Sequence, residues 1–175
     1  PDPTGASMAL NDPANDNNVG SNWCTASTPY GDGDLGTPGA ANDCPPPVSP
    51  ELVINEIMQN PSAVLDGAGE WLELFNPSGT DVDIDGWTIA DLDSDTHVIS
   101  NGGPLVVPAG GYLVLGNNAD MATNGGVSVA YSYGGSWFLA NGGDEVVLFD
   151  GTMAEVDRVE YDGGPAFPDP TGASM

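Results

Sequence analysis

"EWLELFNPSG" (residues 70–79) decides the fold. In its first six residues a period of two puts Glu73 on the same face as Trp71 and Phe75, which is the alternation of a β-strand. "NPSG" then ends the run with residues that favour turns for stated conformational reasons. The same pattern extends in both directions. "ELVINEI", "GWTIAD", "THVIS", "GYLVLG", "SVAYSY", "SWFLA", "DEVVLF" and "AEVDRVEY" are short and rich in Val, Ile, Leu and aromatics. Between them lie "NGGP", "PAGG", "NGGD", "DGT" and "YDGG". Short strands at this spacing predict a β-sandwich over residues 51–161. No segment carries a sustained helical period, and none approaches the roughly 20 apolar residues of a membrane span.

The first part of the chain has another character. Residues 1–43 are rich in Asn, Asp, Gly and Ala, with scattered anchors at Leu10, Trp23 and Tyr30. "CPPPVSP" follows and suits a stiff, extended spacer. The expected organisation is a tail segment at 1–44, a Pro-rich linker at 45–50 and a sandwich at 51–175.

Charge narrows the partners. In 175 residues there are 26 Asp and Glu, one Arg (Arg158), no Lys and one His (His97), for a formal net charge of −25. Nucleic acid and anionic membrane surfaces would repel such a chain, so neither is a partner and no membrane insertion is expected. Copies would also repel one another, so assembly calls for counter-cations or high ionic strength. The apolar residues nonetheless come in compact runs, which separates this chain from the acidic disordered class.

Cys24 and Cys44 bracket a loop rich in Gly and Pro. Two thiols with no His or Cys neighbours make a poor zinc site, and a disulfide is the better reading. Closing a loop of that length stabilises by about 3 kcal/mol in the chain-entropy account. A disulfide places the chain in an oxidising compartment, extracellular or at the cell surface.

"LVINEIM", "EWLELFNPSG", "DVDIDGWTIAD", "VPAGGYLVLG", "LANGGDEVVLFD" and "GTPGAAN" together resemble the bacterial lamin tail domain. The resemblance covers most of the chain and implies an all-β fold. That fold is an immunoglobulin-like β-sandwich, here with a Gly/Asp/Asn-rich irregular tail segment. Motif order departs from the family: "GTPGAAN" closes the family domain but here, at residues 36–42, precedes "LVINEIM". A second feature bears on this. "PDPTGASM" occurs at residues 1–8 and again, unchanged, at 168–175. Joining the end of the chain to residue 9 restores an uninterrupted family C-terminus. Residues 1–43 then read as the tail of a preceding copy and 51–175 as most of the next, so tandem repeats are expected. A circularly permuted chain with a duplicated octapeptide is the alternative.

Catalysis is poorly supported. A Ser-His-Asp arrangement would need His97, and no nucleophile-elbow motif is present. With one Arg there is little fixed positive charge for an oxyanion or a phosphate. Calcium is a stronger candidate. In "DLDSDTH", Asp91, Asp93 and Asp95 alternate as at the start of calcium loops, where a hard cation collects several oxygens. Thr96 and Gly102 stand where an EF-hand has Gly and Glu, and a solvated acidic turn is the competing reading. Asp32 and Asp34, inside the disulfide loop, are further candidates. In "DVDIDG", Asp81, Asp83 and Asp85 read instead as the outer face of a half-buried strand. Glu56 and Glu73, if partly buried, need Arg158, His97, backbone N–H groups or a bound cation. Trp71, Trp87, Trp137 and Phe138 fit core positions better than a sugar-binding surface.

The expected function is structural. The chain reads as a repeat of an extracellular filament or stalk, self-associating through neighbouring copies and stabilised by divalent cations such as Ca2+. Tails fold within their own copy or pair into the next by strand addition. A carbohydrate-binding or anchoring module of a large secreted protein is the alternative.

Overall fold

The computed structural model describes residues 4–13, 16–44, 51–92, 95–168 and 171–175. It divides into two compact units, Pro1–Ser49 and Pro50–Met175.

The first unit is two small antiparallel ladders. Strand β1 (Met8–Leu10) pairs with β2 (Trp23–Thr25), and β3 (Pro29–Tyr30) pairs with β4 (Asp34–Leu35). A parallel bridge from Ala6 to Leu35 joins the ladders. Apolar residues are sparse here, so little more than Ala9 and Ala26 is buried. Covalent and polar ties carry the unit instead. Cys24 and Cys44 form the disulfide, with Cα atoms 5.8 Å apart. Asp43 Oδ2 accepts the N–H groups of Ser27 and Thr28, and Asn42 Nδ2 donates to the Leu10 carbonyl. Those backbone bonds hold the Asp43 carboxyl down at about 2.

The second unit is the sandwich. Its strands are β5 (Val53–Met58), β6 (Trp71–Phe75), β7 (Val82–Asp83), β8 (Thr88–Ala90), β9 (Thr96–Val98), β10 (Val106–Val107), β11 (Tyr112–Gly116), β12 (Tyr131–Ser132), β13 (Gly143–Phe149) and β14 (Glu155–Asp162). One sheet has the order β12-β11-β6-β5 and the other β14-β13-β8-β9, with β7 and β10 as a separate pair. The alternation in "EWLELF" does what it predicts: Leu72 and Leu74 are fully buried. They join Leu115, Ile89, Val146 and Leu148 in one core. Full burial of each such side chain is worth about 2 kcal/mol.

The structure departs from the sequence pattern at two places. "SWFLA" contains no strand, yet Trp137 and Leu139 are buried, so this irregular segment plugs the core. Within "LDGAGE" the chain makes one helical turn, α1 (Asp66–Gly69). Gly69 there leaves no room for a Cβ, which would fall 2.4 Å from Val64. "DVDIDG" follows its pattern: Val82 and Ile84 are buried and the three aspartates are exposed.

The turn after β6 shows why Asn76 suits "NPSG". Asn76 is fully buried, but Nδ2 donates to the carbonyls of Thr80 and Val107, and Oδ1 accepts from Ser78 N–H and Oγ. A buried amide with every group satisfied costs little and fixes the turn. Replacing both cysteines of the first unit by serine is expected to lower that unit's stability by about 3 kcal/mol. Denaturant unfolding followed by Trp23 fluorescence, with the sandwich tryptophans replaced by Phe, checks this.

Candidate functional site

Strand β5 ends its sheet, and the side away from β6 is covered. Residues 171–175 lie along it: Met175 N–H donates to the Ile57 carbonyl and Ile57 N–H to the Met175 carbonyl, both at 3.0 Å. Gly172 N–H donates to Asn60 O at 2.8 Å. The Ser174 hydroxyl donates to Glu56 Oε1, and the Met175 side chain packs against the sandwich core. Beside it lies a mostly apolar cleft that Met175 lines together with Ile54, Ile57, Val159, Phe167 and Pro168. Gly172 is required twice over. Its φ of +77° suits glycine, and a Cβ would lie 2.1 Å from Ser62 Oγ. This edge is strand addition performed by the chain's own segment.

The carboxylates elsewhere are mostly occupied by backbone. Asp81 Oδ1 accepts Ala109 N–H, Asp83 Oδ1 accepts Asp85 and Leu105 N–H, and Asp85 Oδ1 accepts Asn101 N–H. The "DVDIDG" aspartates thus pin the segment 101–109. Asp157 Oδ2 accepts Ile54 N–H at 2.7 Å, tying β14 to β5. Asp150 Oδ1 holds the N–H groups of Thr152 and Ala154, and Asp162 caps the turn to Phe167, which keeps both carboxyls below their ordinary range.

The proposed calcium ligands are placed as follows. Asp91 and Asp95 bracket the β8–β9 turn, where Asp91 Oδ1 accepts Asp95 N–H at 2.9 Å. Asp93 lies outside the described residues. Asp32 and Asp34 are exposed in the β3–β4 hairpin. Among the described residues, no three His, Cys, Asp or Glu side chains converge to hold a metal ion. Glu56 and Glu73 find neutral partners rather than cations: Ser174 for the first and Asn55 Nδ2, at 2.8 Å, for the second. Arg158 is engaged by Glu155 and Glu160.

His97 Nδ1 and Ser136 Oγ come together at 2.7 Å, and His97 Nε2 lies 2.8 Å from Tyr131 Oη. Ser136 Oγ also donates to the Tyr133 carbonyl at 2.6 Å, and Tyr131 Oη accepts Ser100 N–H. Partial burial lowers the imidazole pKa.

The group that the sequence pattern missed is Glu70, 4 % exposed. Burial pushes its carboxyl up to about 7, with Asp66 and Asp144 adding repulsion and the Leu139 N–H opposing. It opens "EWLELF", and the period of two puts it on the buried face of Leu72 and Leu74, the signal that could have found it. Trp137 and Trp87 are buried as expected, whereas Phe138 is exposed and Phe75 stacks on exposed Tyr112 with ring centroids 4.7 Å apart.

Two four-stranded sheets, antiparallel except where β12 joins β11 in parallel, with a shared core and a turn-rich periphery, define an immunoglobulin-like β-sandwich. Residues 45–163, well over half the chain, match the Lamin Tail Domain family, and the chain belongs to it. No curated protein matches it.

Two outcomes follow from this geometry. Folded Glu70 keeps a proton that the unfolded chain releases above pH 4.5, so its contribution is full below pH 4.5 and is lost as pH rises through about 7. Melting curves should therefore fall more steeply between pH 4.5 and 7 in the parent chain than in Glu70→Gln, while equal slopes would contradict the assignment. Gly172→Ala should release residues 171–175 and speed amide exchange at Ile57, measured by NMR, without unfolding the sandwich.

Proposed function

We propose that the chain is a structural repeat of an extracellular filament or cell-surface stalk, built from tandem lamin-tail-like domains. The observation that carries this reading is "PDPTGASM". It stands at residues 1–8 and again, unchanged, at 168–175, and its glycine takes a positive φ in both copies, +73° at Gly5 and +77° at Gly172. A repeating polypeptide in which the octapeptide is one recurring joint accounts for the recurrence.

Other features support the setting. The disulfide fits an oxidising environment, and no helix among the described residues is long and apolar enough to cross a membrane. A net charge of −25 per 175 residues makes lateral clumping of fibres unfavourable and gives divalent cations a role in assembly. Calcium at Asp91, Asp93 and Asp95, or at Asp32 and Asp34, is part of this proposal.

A second reading has its own observation. The stacked Phe75–Tyr112 pair lies partly exposed on the sheet of β6 and β11, a surface on which a sugar ring would stack. It fits a carbohydrate-binding or anchoring module of a large secreted protein.

Micrographs of native material separate the two: uniform fibres with an axial repeat are expected, whereas dispersed particles that bind glycans would favour the module. An intact mass several times 17.8 kDa is expected of the native polypeptide. Removing calcium with a chelator should lower the melting temperature or loosen the fibres; no change in either would sink the metal role.

A further inference from the structure

The two copies of the octapeptide use opposite edges of the same strand. In the first unit Ser7 N–H donates to Leu35 O at 2.9 Å, Ala26 N–H donates to Ser7 O at 3.0 Å, and Leu35 N–H donates to Gly5 O at 2.9 Å. With Ser7 and Ala26 a bonded pair, the β1–β2 register alternates: Ala9–Cys24 bonded, Met8–Thr25 not. Met8 therefore turns its N–H and C=O away from β2. In the sandwich it is the equivalent residue, Met175, whose N–H and C=O pair with Ile57. Gly172 uses its N–H where Gly5 uses its carbonyl. Among the described residues, no backbone atom of the octapeptide is engaged in both settings.

The side chains find their closer fit in the sandwich. Met8 is 55 % exposed in the first unit, whereas Met175 packs on the sandwich core. The serine hydroxyl, as Ser174, donates to Glu56 Oε1. A Cβ on Gly5 would meet Asp34 Oδ1 at 3.4 Å, an ordinary contact, but one on Gly172 collides with Ser62, and the positive φ of the glycine is common to both units. The division between the units therefore lies in the backbone, where each takes its own set of N–H and C=O groups.

We propose that one PDPTGASM segment serves as a strand shared between successive copies of this chain: its methionine edge completes β5 of one sandwich while its serine edge holds β2 and β4 of the next tail unit. This rests on the tandem reading and gives it a mechanism. The tail unit of the following copy is then seated directly on the preceding sandwich, leaving no free linker at that junction.

The test lengthens the full chain at Met175 by its own residues 9–44 and follows amide exchange by NMR. Both Ser174 and Met175 amides are expected to slow by at least about tenfold relative to a free peptide, since each is held by a different partner. In the unlengthened chain Met175 alone should slow. Slowing of only one amide, or of neither, in the lengthened chain overturns the shared strand. The native intact mass bears on the tandem reading alone, so failure of one is distinguishable from failure of the other.

Discussion

The sandwich depends on what lies against the outer side of β5. An uncovered strand edge presents a row of N–H and C=O groups that other chains can pair with. Here the Ile57 pair of hydrogen bonds covers that edge, and Gly172 and Met175 lock the covering segment in place, one by lacking a side chain and the other by packing against the core. The covering strand is too short to be stable alone. It acquires order from a sheet that is already formed, and its own far edge remains available for pairing.

Charge poses the second constraint, because 26 carboxylates share one arginine. The fold answers with backbone amides. Asp43, Asp83, Asp150 and Asp162 each accept N–H groups at loop ends, where the main chain has donors to spare, and Asp157 accepts the Ile54 N–H of β5. An acidic side chain held this way is a structural part and needs no cation. The repulsion left over acts between copies. In the proposed filament it would favour contacts that run end to end.

The strands around the core were legible because their residues alternate: β6, β11 and β13 all lie inside apolar runs picked out by pattern alone. Cys24 and Cys44 were legible from composition and spacing. Two features were not. "SWFLA" looks like a strand because Trp137 and Leu139 are apolar and two apart, but they enter the core from irregular chain. Period two identifies a buried face without saying whether the backbone pairs. Glu70 is a different case: period two puts it on the face of Leu72 and Leu74, but its polar partners, Leu139 and Asn117, are distant in sequence and no local pattern encodes them. The strand edge of residues 171–175 lay in between. Repetition of the octapeptide marked it as special, but only the hydrogen-bond parity assigns its two edges to different partners.

A cryo-electron microscopy map of the native material, at a resolution that traces the main chain, tests the account most directly. Density should run without a break from the methionine paired with Ile57 into the alanine that begins the next tail unit, with that tail's β2 on the strand's other side. Density that stops at this methionine, or a tail unit seated away from β5, would contradict it.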